Sequence, residues 1–132
     1  MPRGYDRSET SVHHIAYHFV WCPKYRRRIL RDEIAVRCKE LILEKCAALG
    51  CSVKAIEVMP DHVHVFLETD TQQAPNSLVG QIKGYTSHEL RQEFPEIKSR
   101  LPTLWTRSYF CSTHGHISDK MIQIYIEDQR GI

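Results

Sequence analysis

Hydrophobic and polar residues alternate over positions 12–22, the two-residue period of a β-strand. Ile15, Tyr17, Phe19 and Trp21 fall on one side, and His14, Ala16, His18 and Val20 on the other. Pro23 ends the run. The period then lengthens. Asp32 reads as a helix N-cap, Ile34, Cys38, Leu41, Ile42, Cys46 and Leu49 recur at helical spacing, and Gly50 fits the stop. A second strand is predicted over 52–59, with Val53, Ala55, Glu57 and Met59 on one side. Pro60-Asp61 turns the chain into a third strand, where Val63, Val65 and Leu67 form an apolar face and His62, His64, Phe66 and Glu68 look the other way.

Beyond a polar connection, Leu78, Ile82, Tyr85 or Thr86, Leu90 and Phe94 predict a helix over 77–94. Gly80 and Gly84 lie four apart on it, and each costs about 1 kcal/mol relative to Ala in a helix interior. Close packing of the helix on the sheet is the first explanation; close approach of a nucleic-acid backbone is the second. Pro95 and Pro102 bracket a loop, a fourth strand is expected over 104–112, and Ser118 caps a last helix running from Asp119 to about Gln129. The order strand, helix, strand, strand, helix, strand, helix predicts an α+β fold. It is a ferredoxin-like antiparallel four-stranded sheet with two helices on one face, plus a C-terminal helix. That last helix hangs on a tether containing Gly115.

Composition changes little. The 132 residues suit a single domain, with 1–10 as a loose polar arm, and a net charge of +2 does not argue for nucleic acid by itself. Local charge does: Lys24, Arg26, Arg27, Arg28 and Arg31 place five cations in eight residues with no acid among them. Lys83 and Arg91 add charge on the second helix. The five cysteines form no CxxC pair, which with no signal peptide predicts free thiols and a cytoplasmic location. No apolar run approaches the ~20 residues of a membrane span.

Two patterns carry candidate chemistry. His62 and His64 are neighbours on one strand face, about 6–7 Å apart at Cα, which suits two nitrogens meeting one metal ion and equally suits a solvated polar face. Tyr125 and Gln129 lie four apart on the last helix and share a face. Together they change meaning. Pro60-Asp61-His62-Val63-His64 matches the His-hydrophobic-His signature called HUH. Tyr125-Ile126-Glu127-Asp128-Gln129 resembles the single-tyrosine motif, Tyr-x-x-x-Gln, of the TnpA transposases of small insertion sequences. Trp21-Cys22-Pro23-Lys24-Tyr25-Arg26-Arg27 is similar to that family's basic segment after its first strand. Ser108-Tyr109-Phe110, with Thr113 and Gly115, is similar to the segment leading into its tyrosine helix. The likeness runs from about Tyr17 to Gln129.

The resemblance implies a metal-dependent transposase that cleaves and rejoins single-stranded DNA at insertion-sequence ends. It implies attack by Tyr125 to give a 5′-phosphotyrosine, with His62, His64 and Gln129 holding Mg²⁺ or Mn²⁺. It implies recognition of DNA hairpins, and a homodimer in which the tyrosine helix of one subunit completes the site of the other. Three uncharged ligands would leave the cation its full charge, and imidazole favours Mn²⁺ over Mg²⁺. Lys24, Arg26, Arg27, Arg28, Arg31 and Lys83 are the candidate DNA contacts, and Trp105, Tyr109 and Tyr85 candidate stacking platforms or core residues. His114 and His116 take no defined role. The competing readings are a non-catalytic single-strand-binding module, a domesticated nickase acting on palindromic repeats, a replication-initiating nickase, and a small metal-dependent hydrolase with Tyr125 merely structural.

Overall fold

A computed structural model describes residues 14–70, 73–100, 103–113 and 117–128. The elements are β1 (His14–Trp21), α1 (Asp32–Ala48), β2 (Ser52–Met59), β3 (His62–Asp70), α2 (Pro75–Glu93), α3 (Pro95–Arg100), β4 (Phe110–Ser112) and α4 (Asp119–Asp128). A short 3₁₀ turn, Lys24–Arg26, follows β1. The strands form one sheet in the order β2-β3-β1-β4, and every neighbouring pair is antiparallel. This is the expected ferredoxin-like α+β arrangement. Among the described residues, no helix is long and apolar enough to cross a membrane.

The two-residue period decides what is buried. Tyr17, Phe19 and Trp21 of β1 and Val63, Val65 and Leu67 of β3 face α1 and α2, where they meet Cys38, Leu41, Ile42 and Cys46 and Leu78, Val79, Ile82 and Leu90. Fully burying a side chain of this size is worth about 1.5–3 kcal/mol, so this layer fixes the strand register as well as the helix faces. The opposite face of the central strands is left for chemistry.

Four features differ from the sequence expectation. In β2, Val53 pairs with Leu67 but Ala55 pairs with Phe66, so Lys54 is an extra residue. That bulge inverts the strand's faces: Ile56 and Val58 turn inward, while Ala55, Glu57 and Met59 are exposed. The segment between Pro95 and Pro102 contains a short helix, α3, because Pro95 presets a helical φ and Ile97 is buried against the core. β4 has three residues, not nine: ahead of Phe110 the only strand-like pairing among the described residues is an isolated antiparallel bridge of Trp105 with Pro23, and Leu104, Trp105 and Thr106 are all buried. Trp105 instead donates its indole N–H to Lys83 O (3.1 Å) and Thr86 Oγ (3.0 Å) and packs edge-on against Trp21. At α1 the N-cap is Arg31, whose carbonyl accepts from the Ile34 N–H, and Asp32 falls inside the first turn beside Glu33, where negative charge remains favourable.

Other boundaries match. Ser118 Oγ accepts from the Met121 N–H at 3.2 Å and so caps α4. Gly50 closes α1 with φ +76°, and a Cβ there would meet nothing within 4 Å. A substitution at Gly50 is therefore opposed by backbone conformation alone. Gly50→Ala is expected to cost about 1–2 kcal/mol, seen as a lower urea midpoint with an unchanged slope. An unchanged midpoint would mean that the left-handed turn is not held in solution.

Candidate active site and nucleic-acid surface

Strand register assembles the site on the face away from α1 and α2. Val20 pairs with His64 on one side and Phe110 on the other, and His64 pairs with Glu57, so Phe110, Val20, His64 and Glu57 form one row across the sheet. The next row holds Ser112, His18, Phe66 and Ala55. His62 stands at the hairpin end, opposite Met59.

Both strand histidines are held by neighbours. His62 Nδ1 lies 3.0 Å from Asp61 Oδ1. A carboxylate accepts, so Nδ1 carries the proton and Nε2 presents the lone pair. Asp61 also meets Arg26 Nε at 3.4 Å and Arg28 Nη1 at 3.9 Å, and the Leu30 N–H donates to Pro60 O, which ties the basic loop to the hairpin. His64 Nε2 lies 3.0 Å from His18 Nδ1. Burial, with the imidazole of His18 close by, holds His64 below the usual histidine range. It is thereby favoured in the neutral form, the one that can ligate a metal.

Tyr125 lies on α4, its ring 6.1 Å from that of Phe110 and its hydroxyl 3.4 Å from Ser108 Oγ. Since Phe110 shares a row with Val20 and His64, the tyrosine stands over the same sheet face as the histidines. Asp119, in the first turn of α4, acts on the charge of His64. Cys22 is within electrostatic reach of both Asp61 and the Tyr125 phenol. Burial pushes the Tyr125 phenol up to about 12, partly offset by hydrogen bonding to Ser108 and Thr106. Gln129, His114, Gly115 and His116 lie outside the described residues.

The residues expected to meet nucleic acid divide. Arg27, Arg28 and Arg31 are exposed, whereas Lys24 and Arg26 are partly covered. Lys83 turns inward: its Nζ donates to Thr106 O (2.7 Å), Ser108 O (3.0 Å) and Arg107 O (3.4 Å), and burial lowers it to about 8. It clamps α2 to the loop bearing Ser108, the neighbour of the tyrosine hydroxyl. Tyr109 packs edge-on against Phe19, and the Tyr85 hydroxyl donates to Glu44. Gly80 and Gly84 do not serve close packing, because a Cβ at either would meet nothing within 4 Å. They line a groove of about 470 Å³ with Lys24, Lys83, Trp105 and Arg107.

Among the described residues, no group of three His, Cys, Asp or Glu is arranged to hold a metal. Two imidazoles on one open face, one with its Nε2 lone pair set by Asp61 and one biased to the neutral form, nevertheless fit part of a cation site. His18 and Asp61 are the residues that sequence reasoning did not assign. Asp61 adjoins the signature, while His18 carried only a position on the polar side of β1.

The family profile described as "Transposase IS200 like" matches residues 11–129. The ISDra2 transposase TnpA of Deinococcus radiodurans is 36% identical over 131 residues, covering 98% of this chain and 94% of that one. The transposase for insertion sequence element IS200 of Salmonella typhimurium is 30% identical over 115 residues, covering 86% and 75%. Among solved structures, a Deinococcus radiodurans R1 protein provisionally named a transposase superposes with a TM-score of 0.87 at 31% identity, covering 96% of this chain and 99% of that one. A REP-associated tyrosine transposase bound to a REP hairpin shares the fold, with a TM-score of 0.57 at 16% identity and coverage of 96% and 69%.

The raised phenol makes a pH prediction. A tyrosine whose folded pKa, about 12, exceeds its unfolded value near 10 contributes stability that is fully present below about pH 10. That contribution is lost as pH rises from about 10 toward about 12. Urea midpoints measured from about pH 9 to about pH 11 are expected to fall more steeply for the wild type than for Tyr125→Phe. Parallel decline of the two proteins would show that the phenol is not buried in solution.

Proposed function

The chain belongs to the IS200-like transposase family, and we propose that it cleaves and rejoins single-stranded DNA at element ends with Tyr125 as nucleophile. The observation that carries this reading is the placement of Tyr125 and the pair His62 and His64 over one sheet face of the same chain.

In the proposed reaction the Tyr125 oxygen bonds to a DNA phosphorus and the bond from that phosphorus to the 3′-oxygen breaks. The phenol's proton leaves, and the released 3′-oxygen takes one up, giving a 5′-phosphotyrosine and a free 3′-hydroxyl. The linkage conserves the energy of the broken ester, so a 3′-hydroxyl can attack it and rejoin strands without a nucleotide cofactor. His62 and His64, with Gln129, would hold Mg²⁺ or Mn²⁺, and the cation would supply charge neutralisation at the scissile phosphate. Asp61 orients His62 for this task. Lys83 holds the loop on which Ser108 meets the phenol.

DNA hairpins are the proposed ligands, a reading supported by a relative of the same fold that is bound to a REP hairpin. Arg27, Arg28 and Arg31 would contact phosphates, which position the strand without reading its sequence. The groove over Gly80 and Gly84 would let a sugar–phosphate backbone approach α2 closely, beside Lys24 and Arg107. Assembly is proposed to be a homodimer in contact through α4. A cleft of about 360 Å³ lined by Phe110, Met121, Ile124 and Tyr125 supports it, since Met121 and Ile124 are largely exposed in the single chain.

The test is a covalent adduct. The protein is incubated with a single-stranded hairpin substrate and Mn²⁺ or Mg²⁺, then run on a denaturing gel. Wild type is expected to form a protein–DNA adduct. Tyr125→Phe is expected to abolish it while binding the hairpin within about twofold of wild type. An adduct in that variant would move the nucleophile elsewhere, and no adduct with wild type would favour the non-catalytic binding module.

Gly80→Ala and Gly84→Ala test the groove, because stability and function should move in opposite directions. Each is expected to stabilise the fold by up to about 1 kcal/mol and to weaken hairpin binding several-fold by gel shift. Stabilisation with unchanged affinity would place the DNA elsewhere.

A further inference from the structure

His18 sits in the middle of β1, is 6% exposed, and yet does not point into the apolar layer. It shares the open face with His64, diagonal to it across the β1–β3 ladder. Its ring lies flat on Phe66, with centroids 4.1 Å apart and planes 4° from parallel, and its Nδ1 is 3.0 Å from His64 Nε2. Two ring nitrogens at that distance cannot both present lone pairs or both present protons. One donates to the other, and the bond fixes both rings.

A buried imidazole carries a desolvation cost that an aliphatic residue at the same position would avoid. What the imidazole adds is this bond, together with the flat contact that keeps His18 from rotating. His62 has a matching partner in Asp61. The two candidate ligands are thus each held at one ring nitrogen, His62 by a carboxylate from the turn and His64 by an imidazole from the neighbouring strand. The contact engages Nε2 of His64 and leaves Nδ1 as its other ring nitrogen.

We propose that His18 is a positioning residue of the cation site, holding the His64 ring through the Nδ1–Nε2 hydrogen bond while Phe66 holds His18. The proposal rests on the reading of His62 and His64 as cation ligands. It extends that reading to a residue on another strand, outside the two sequence motifs. Partners of this kind change metal affinity by about 10–100-fold when removed.

The test is Mn²⁺ binding to the full chain, followed by the loss of the free-ion electron paramagnetic resonance signal. The Tyr125→Phe background prevents strand cleavage. His18→Phe keeps an aromatic ring against Phe66 but removes both nitrogens, and is expected to weaken Mn²⁺ binding about 10–100-fold without lowering the thermal midpoint. His18→Asn returns a hydrogen-bonding group near the Nδ1 position and is expected to recover most of the affinity. In a His64→Ala background, which should itself bind Mn²⁺ poorly, His18→Phe is expected to have no further effect.

Wild-type affinity in His18→Phe would overturn the proposal, as would an equal loss with and without His64. Should His18→Phe fail to fold, His18→Asn decides the matter against His18→Ser, a second small polar variant whose hydroxyl is too short to reach His64. Equal affinities in those two would overturn it. Unchanged Mn²⁺ binding in His64→Ala would instead remove the ligand assignment on which the proposal stands.

Discussion

The antiparallel pairing of β1 with β3 is the constraint from which the rest follows. Its register, Val20 opposite His64 and Trp21 opposite Val63, assigns every side chain of both strands to a face. A slip of either strand by one residue would turn over that strand alone, sending Phe19 and Trp21 of β1 or Val65 and Leu67 of β3 to the open side and bringing His18 or His64 into the core, against both hydrophobic burial and imidazole desolvation. The apolar layer under α1 and α2 therefore does more than stabilise the fold. By locking the register it fixes where two histidines stand on the far side of the sheet, and the precision of the site is inherited from the core.

Much of this was legible in the sequence because period and punctuation are local properties. The alternation through Trp21, the helical spacing from Ile34 to Leu49, the positive-φ Gly50 and the Ser118 cap each need only a few neighbouring residues to be recognised. The His-x-His pair and Tyr125 were likewise readable, since the pair lies within β3 and the tyrosine on the helical run of α4. What escaped was whatever depends on pairing between elements. His18 became part of the site only once β1 was laid beside β3. The bulge at Lys54 inverted the expected face of β2, and no local signal marks an extra residue whose neighbours, Val53 and Ala55, both suit a strand.

Lys83 and the two helix glycines reverse a natural expectation together. A lysine on a helix surface suggests a free cation, and glycines four apart suggest tight packing. Here the lysine is drawn onto three carbonyls of the 106–108 segment and the glycines face open space. One cause connects them. Trp105 buries against Trp21 and bonds to Thr86 and Lys83 O, which holds the segment ahead of β4 against α2, where only the bridge of Trp105 with Pro23 continues the strand pairing beyond Trp21. The carbonyls freed from strand pairing need donors, and Lys83 is the donor at hand.

The placement of Tyr125 shows what the proposed chemistry must overcome. A phenol pushed up to about 12 is almost wholly protonated at neutral pH, and its contacts with Ser108 and Thr106 offset only part of the burial that raises it. Burial and the nearby Cys22 side chain both oppose a phenolate. The influence that favours ionisation must then come from the other side, where an electrophilic phosphate and a cation would lie. This division places the nucleophile on one element and the charge that activates it on another, so reaction would require both to be brought together around DNA. In such an arrangement the fidelity of cleavage rests on how firmly the histidine face is built, and that returns to the strand pair beneath it.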